Sequence, residues 1–366
     1  MKQIKNNNAR HGYIMIFTLL VVAAAMTVVT YVVHRSTLYV PFAHMISARE
    51  KAKMVALGGI EVAIAQLCKV SEKEKQPEKK EGEKGGAQAE SAKEEKDLLR
   101  TILPSLNRWQ VFELKEDVDG IDGQLNVCMM SEEGKINLNR IIDFEKGVLL
   151  SDKQGDWKVV MEELFKIIEK TTKTTDMFKA FEKIVKDRKN EFNDATELIT
   201  NKEFNYFKDF LFYEPPTERK EKTEKKEQPL YLTDIFTVWS SSDKIEPWLF
   251  SESINSIAGF TKIESGDVKK RKEQIEGWLK NFKPKANWEQ DWKTTLMPIY
   301  GKELRTLPKN IDSLLSVTFA PRFFSVLVHG KVGDITQRLY AILERNKRSQ
   351  EGDAQYDVTI KKLYWL

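Results

Sequence analysis

Residues 10–33 read RHGYIMIFTLLVVAAAMTVVTYVV, and this stretch decides the architecture. Before it, residues 1–12 carry Lys2, Lys5 and Arg10 and no acid. From Tyr13 to Val33 there is no charge at all, and as a helix rising 1.5 Å per residue this run spans a hydrocarbon core of about 30 Å. The sequence therefore predicts one membrane span. The basic residues ahead of it favour a cytoplasmic N-terminus and a body on the far side of the membrane, although His34 and Arg35 directly after the span reduce the asymmetry. Ala23-Ala24-Ala25 lies inside the apolar run rather than after it, which is not the layout of an ordinary cleaved secretory signal.

Working outward, residues 42–69 continue a helical pattern, with small and apolar residues at Ala43, Ile46, Ala52, Val55, Ile60, Ala63, Ile64 and Leu67. Pro41 lacks a donor and should bend the joined helix. Residues 71–97 are almost only Glu, Lys, Gly, Gln, Ala and Ser, and are expected to be a disordered, charged linker or a fraying single helix. After a short helix over 98–106, residues 109–115 and 123–130 alternate as a hairpin around Asp117, Asp119 and Asp122. Those aspartates miss the EF-hand register, because the fifth loop position is Ile121. A third strand is expected over 135–139.

Between 141 and 315 the periodicity becomes helical, with amphipathic runs at 157–170, 176–186, 203–212, 232–239 and 268–282. Trp157, Trp239, Trp248, Trp278, Trp288 and Trp292 share no spacing and read as core anchors. A charged, proline-containing loop over 214–229 divides this region. Strand periodicity returns at the end: Phe324, Val326, Val328 and Val332 share a face opposite Ser325 and His329, Gly333-Asp334 turns, and strands follow over 335–345 and 358–366.

Composition limits the function. With 366 residues, 41 % hydrophobic, 31 % charged and a net charge of +4, the chain is globular and its charge does not demand a nucleic acid. Two cysteines make no disulfide scaffold and no C-x-x-C zinc motif. There is no H-E-x-x-H, no G-x-S-x-G, no phosphate loop and no dinucleotide fingerprint, so an enzyme is not expected and no catalytic residue is assigned. Residues 254–260 superficially resemble the glycine turn of a helix-hairpin-helix, but a membrane anchor with an outward body argues against DNA.

Three features carry a resemblance. A basic leader ends in Gly12 before an apolar helix, as in prepilins, which are cut after that glycine. Phe17 stands at the fifth position after the cut, where most pilins have glutamate. The run Ser131-Glu132-Glu133-Gly134-Lys135-Ile136-Asn137-Leu138-Asn139 is similar to the acidic-Gly-Lys-Ile-Asn-Leu-Asn signature of the general secretion pathway protein K family, the large minor pseudopilins of type II secretion. The chain resembles that family, including its lack of the fifth-position glutamate.

The resemblance implies an α+β fold: a pilin-like long N-terminal helix packed on an antiparallel sheet, with a large all-helical (SAM-like) domain inserted into the sheet. The expected organisation is leader 1–12, helix 13–70, linker 71–97, first part of the sheet 98–140, helical insertion 141–315 and second part of the sheet 316–366. It implies cleavage between Gly12 and Tyr13 by prepilin peptidase, a single pass through the inner membrane with a periplasmic body, and other minor pseudopilins and the major pseudopilin as partners, with membrane lipid and no nucleic acid. It implies a role at the tip of a short periplasmic filament. A family calcium site would map near Asp187 and Asp194, although most of the family's acids are replaced here. Since a pilin helix packs on its sheet, Cys68 and Cys128 either pair or remain two buried thiols. Two other functions remain open: a signal-anchored, monomeric periplasmic binding or receptor protein, and a minor pilin of a related type IV pilus.

Overall fold

The computed structural model describes residues 8–68, 86–152, 155–215, 228–261, 268–307, 311–347 and 356–366. Helix α1 runs unbroken from Asn8 to Cys68 and contains Pro41. Its sequence changes character partway. The first part is apolar all round, while from Ala52 onward only one face is apolar, so only that later part has an intramolecular partner.

That partner is a five-stranded antiparallel sheet of β1 (Trp109–Leu114), β2 (Gly123–Ser131), β3 (Phe323–Val332), β4 (Ile335–Lys347) and β5 (Tyr356–Trp365), hydrogen-bonded in that order. The hairpin of β1 and β2 thus joins the C-terminal meander through β2 and β3, across nearly two hundred residues of intervening chain. Ala52, Val55, Ala56, Ile60, Ala63 and Leu67 of α1 are buried against Leu125, Val127, Met129, Val326, Val328, Leu339, Ala341 and Leu343. Small residues bring the helix close: a Cβ on Gly59 would lie 2.9 Å from Leu125 Cδ1, and one on Gly330 would lie 2.6 Å from the Ala56 nitrogen. At the end of α1, Arg345 Nε donates to the Leu67 carbonyl at 3.0 Å and its guanidinium stacks 3.2 Å above Tyr356, placing a cation where the helix dipole favours one.

The opposite face of the sheet is covered too. Cys128, Met130, Leu327, Tyr340 and Ile342 form a second apolar cluster with Tyr213, flanked by Phe212, Tyr231 and Trp239. The region between β2 and β3 therefore packs back onto the sheet that it interrupts.

This region is mostly helical: α3 (Trp157–Thr172), α4 (Met177–Asp187), α5 (Glu252–Ala258), α6 (Val268–Leu279) and α7 (Trp288–Thr295), with short 3-10 segments between them. Asp156 caps α3 through Lys158 N, and Trp157, Val160, Met161, Leu164, Phe165 and Ile168 form its buried stripe. Of the six tryptophans expected in the core, Trp157, Trp248, Trp288 and Trp292 are buried, and Trp239 and Trp278 are partly buried against it.

Several expectations are corrected. Of the two alternatives for 71–97, the disordered linker does not extend so far: residues 86–97 are helical and belong to α2 (Gly86–Ile102), while 71–85 lie outside the described residues. Ala, Glu and Lys are good helix formers, and the buried Leu98, Leu99 and Ile102 anchor them. The inserted region is not purely helical, since it holds two-residue strand pairs such as Ile142–Asp143 with Val148–Leu149 and Ser151–Asp152 with Gly155–Asp156. The helix expected over 203–212 is a 3-10 segment, Lys202–Lys208, and that over 232–239 is one turn, Leu232–Ile235, followed by a strand. The third strand expected over 135–139 shortens to Ile136–Asn137 and leaves the main sheet to pair in parallel with Phe236–Thr237.

Candidate functional site

Every described side chain of α1 from Tyr13 to Ile46 is exposed, among them Tyr13, Phe17, Leu20, Val29, Tyr39 and Phe42. This helix is long and apolar enough to cross a membrane. Its threonines bond back to the helix: Thr27 Oγ1 donates to Ala23 O and Thr30 Oγ1 to Met26 O, both at 2.8 Å, as is suited to a lipid or helix-packed environment. Phe17 is 61 % exposed, and the first carboxylate of the chain is Glu50. Gly12 and Tyr13 lie within α1, with no break in the helix between them. Surface of this kind is unstable in water, so it is the chief candidate for function.

The signature segment is placed very differently. It is buried where the helical region meets the sheet, with Ser131, Glu132, Glu133, Lys135 and Asn137 each at most 5 % exposed. Lys135 Nζ donates to Glu132 Oε1 at 2.5 Å and to Ser325 Oγ of β3 at 3.2 Å, and the Thr237 hydroxyl donates to the other oxygen of Glu132. Glu133 Oε1 accepts the backbone N–H groups of Arg322 and Phe323 at 2.8 and 2.9 Å. Gly134 is pressed on Leu249 and Phe250, where a Cβ would collide with backbone. Asn137 Nδ2 donates to Ser240 O at 2.6 Å. Asn139 forms a two-way pair with the Phe192 backbone, donating to its oxygen and accepting from its nitrogen, both at 2.8 Å. Ile136 and Leu138 complete the segment as fully buried core residues.

Glu132, Glu133, Lys135, Asn137 and Asn139 thus each bond a segment distant in the chain, while Ser131 bonds Glu133 within the signature itself. A buried ion pair of this kind adds little net stability, and removing one partner is costly. Burial pushes the Glu133 carboxyl up to about 7, against the pull of its two amide donors. Burial also raises Asp234, one turn before Thr237, to about 6, with Lys135 opposing it, and it raises Glu246 well above its ordinary value. The sequence marks Glu133 as an acid of the signature but does not single out Asp234 or Glu246, because nothing in it distinguishes a surface acid from a buried one.

The remaining site expectations resolve as follows. Cys68 and Cys128 are both free. Cys128 projects from the sheet face away from α1, into the cluster with Leu327 and Tyr340, so the pairing of Cys68 with Cys128 is not made. Asp187 is exposed at the end of α4, while Asp194 caps the next 3-10 segment through Thr196 N and accepts the Tyr364 hydroxyl. Among the described residues no group of three or more His, Cys, Asp or Glu side chains is arranged to hold a metal. Asp119 and Asp122 accept the amides of Lys115 and Glu116, capping the single helical turn between β1 and β2. Gly259, with φ of 67°, ends α5 as a left-handed cap, and most of that helix is buried rather than presented to a ligand. His329 packs against Trp109 with ring centroids 4.6 Å apart and the ring planes tilted by 48°. Burial, together with the charge of Arg338, lowers it to about 4.

No family model matches the chain, and no curated protein does. Among solved structures, a chain in the crystal structure of the GspK-GspI-GspJ complex from the enterotoxigenic Escherichia coli type 2 secretion system aligns with a TM-score of 0.37 and 11 % sequence identity, over 76 % of this chain and 94 % of that one.

Proposed function

We propose that this chain is a minor pseudopilin, cut after Gly12, anchored in the inner membrane by α1 and placed at the tip of a short periplasmic filament that serves protein export. The observation that carries this reading is the division of α1: every described side chain from Tyr13 to Ile46 is exposed, with an uncharged run from Tyr13 to Val33, while from Ala52 onward one face is sealed onto the chain's own antiparallel sheet. A monomeric receptor needs only about 20 apolar residues to hold it in a bilayer. Here exposed apolar side chains continue past the span at Tyr39, Val40, Phe42, Met45 and Ile46, which suits packing against the helices of neighbouring subunits.

Tip placement is supported by Phe17. In pilins a glutamate at this position neutralises the new N-terminus of the subunit ahead, and an aromatic residue cannot do so. The bulky region between β2 and β3 would block further addition, so one molecule would both start and cap a filament. The partners would be other minor pseudopilins and the major pseudopilin. Gold labelling of the helical region on sheared filaments tests this. Label at one end of each filament is expected, whereas label along the length, or on no filament, contradicts it.

A further inference from the structure

The two edges of the sheet are built differently. β5 carries Asp357, Lys361 and Lys362, the kind of charge by which natural edge strands discourage further pairing. β1, with sequence WQVFEL, has no lysine and no proline, and pairs in unbroken register with β2 from Trp109 opposite Cys128 to Leu114 opposite Gly123. Among the described residues nothing pairs with its other side. Val111 is 54 % and Phe112 37 % exposed, on opposite faces of the strand. An open row of backbone N–H and C=O groups between exposed apolar side chains is best satisfied by another extended backbone.

Charge gives this edge a polarity. At the Leu114 end stand Glu113, Glu116, Asp117, Asp119 and Asp122, all exposed, with Lys115 as the single cation among them. The bonds these acids make, from Gln124 Nε2 to Glu113 and from backbone amides to Asp119 and Asp122, come from neutral groups, and five acids face one lysine in this turn.

We propose that β1 is an acceptor edge for an extended segment of a partner protein, added as a sixth strand, with alternating apolar side chains on the Val111 face and lysine or arginine beside the 113–122 turn. A second copy offering its own β1 would match the apolar edge but leave both acidic turns unanswered; a cationic partner strand answers both. The proposal does not rest on the filament reading.

The test uses the full chain in detergent micelles and three fluorescent peptides: Lys-Lys-Ile-Thr-Val-Thr-Val-Thr, a twin with Glu-Glu at its start, and a twin N-methylated at alternate backbone amides. The lysine peptide is expected to bind about tenfold more tightly than the glutamate twin, to slow hydrogen exchange in β1, and to lose binding to Val111→Lys, whose melting temperature is unchanged because the side chain is exposed. The N-methylated twin is expected not to bind. The proposal is overturned if that twin binds equally well, if Val111→Lys leaves affinity unchanged, if the lysine peptide fails to bind at about 1 mM, or if the chain dimerises and Val111→Lys makes it monomeric.

Discussion

Gly330 of β3 lies directly against the backbone of Ala56 in α1: a Cβ built on it would come within 2.6 Å of the Ala56 nitrogen, so strand and helix meet there without a side chain between them. The contact sets how deeply α1 seats on the sheet, and with it the direction in which the exposed half of the helix leaves the body. Gly330→Ala pushes backbone against backbone, which cannot relax by a rotamer change. The expected cost is about 1–3 kcal/mol, read as a lowered melting temperature of the detergent-solubilised chain. Gly58, where a Cβ would meet nothing within 4 Å, is the control: Gly58→Ala should be neutral or stabilising.

The buried pair of Lys135 and Glu132 predicts strong non-additivity. Lys135→Met leaves a carboxylate buried beside Thr237 with no cation, and should cost about 3–5 kcal/mol. Adding Glu132→Gln removes the stranded charge and keeps an acceptor for the Thr237 hydroxyl, so the double variant should be more stable than Lys135→Met alone. Chemical denaturation of the four proteins in the cycle reads the coupling. Simple additivity would mean that the pair does not hold the helical region to the sheet.

Two titratable groups, the buried Glu133 and the half-buried His329, should act in opposite directions with pH. The Glu133 carboxyl, at about 7 when folded against an ordinary 4.5, binds its proton more tightly in the folded chain. Its contribution to stability falls as pH rises from about 4.5 to about 7, and is constant outside that window. His329, held at about 4 against 6.5, binds its proton more weakly when folded, so its contribution falls as pH drops from about 6.5 to about 4. Glu133→Gln, which keeps the acceptor for Arg322 N and Phe323 N, should therefore gain on the wild type at pH 8 and lose that gain at pH 5. His329→Phe should flatten the acid side of the stability profile between pH 6.5 and 4. Melting temperatures across this range check both signs.

The free cysteines predict different accessibility and no dependence on reductant. Cys68, half-buried at the end of α1, should react with a maleimide in the folded protein, whereas Cys128, buried between β3 and the segment bearing Tyr213, should react only after unfolding. Melting with and without dithiothreitol should coincide. A reductant-dependent shift would mean that α1 and β2 are arranged otherwise than described.

Much of the fold is legible locally. The apolar run, the helical stripe after it, the hairpin of β1 and β2 and the Phe-x-Val meander each carry their period in consecutive residues, and all appear within a few positions of where the pattern puts them. The signature segment is different. Lys135, Asn137 and Asn139 alternate with Ile136 and Leu138 as a half-exposed strand would, yet Lys135 and Asn137 are buried and Asn139 is partly so, because their partners Ser325, Ser240 and Phe192 lie 190, 103 and 53 residues away. No local pattern encodes such partners. The same reason hides the second covered face of the sheet: Ser325 and His329 read as a solvent side, but residues from the inserted region close over it. The helical start of α2 was obscured in the opposite way, since its anchors Leu98, Leu99 and Ile102 come only at the end of a charged run.

The most direct test of the account is the N-terminus of the mature protein. Intact-mass and N-terminal analysis of the membrane-extracted chain, expressed with and without a prepilin peptidase and compared with Gly12→Val, should reveal a species beginning at Tyr13 only when both the peptidase and Gly12 are present. A chain that keeps Met1 in the presence of the peptidase, or one cut beyond Val33, would contradict the filament role and leave α1 as no more than an anchor.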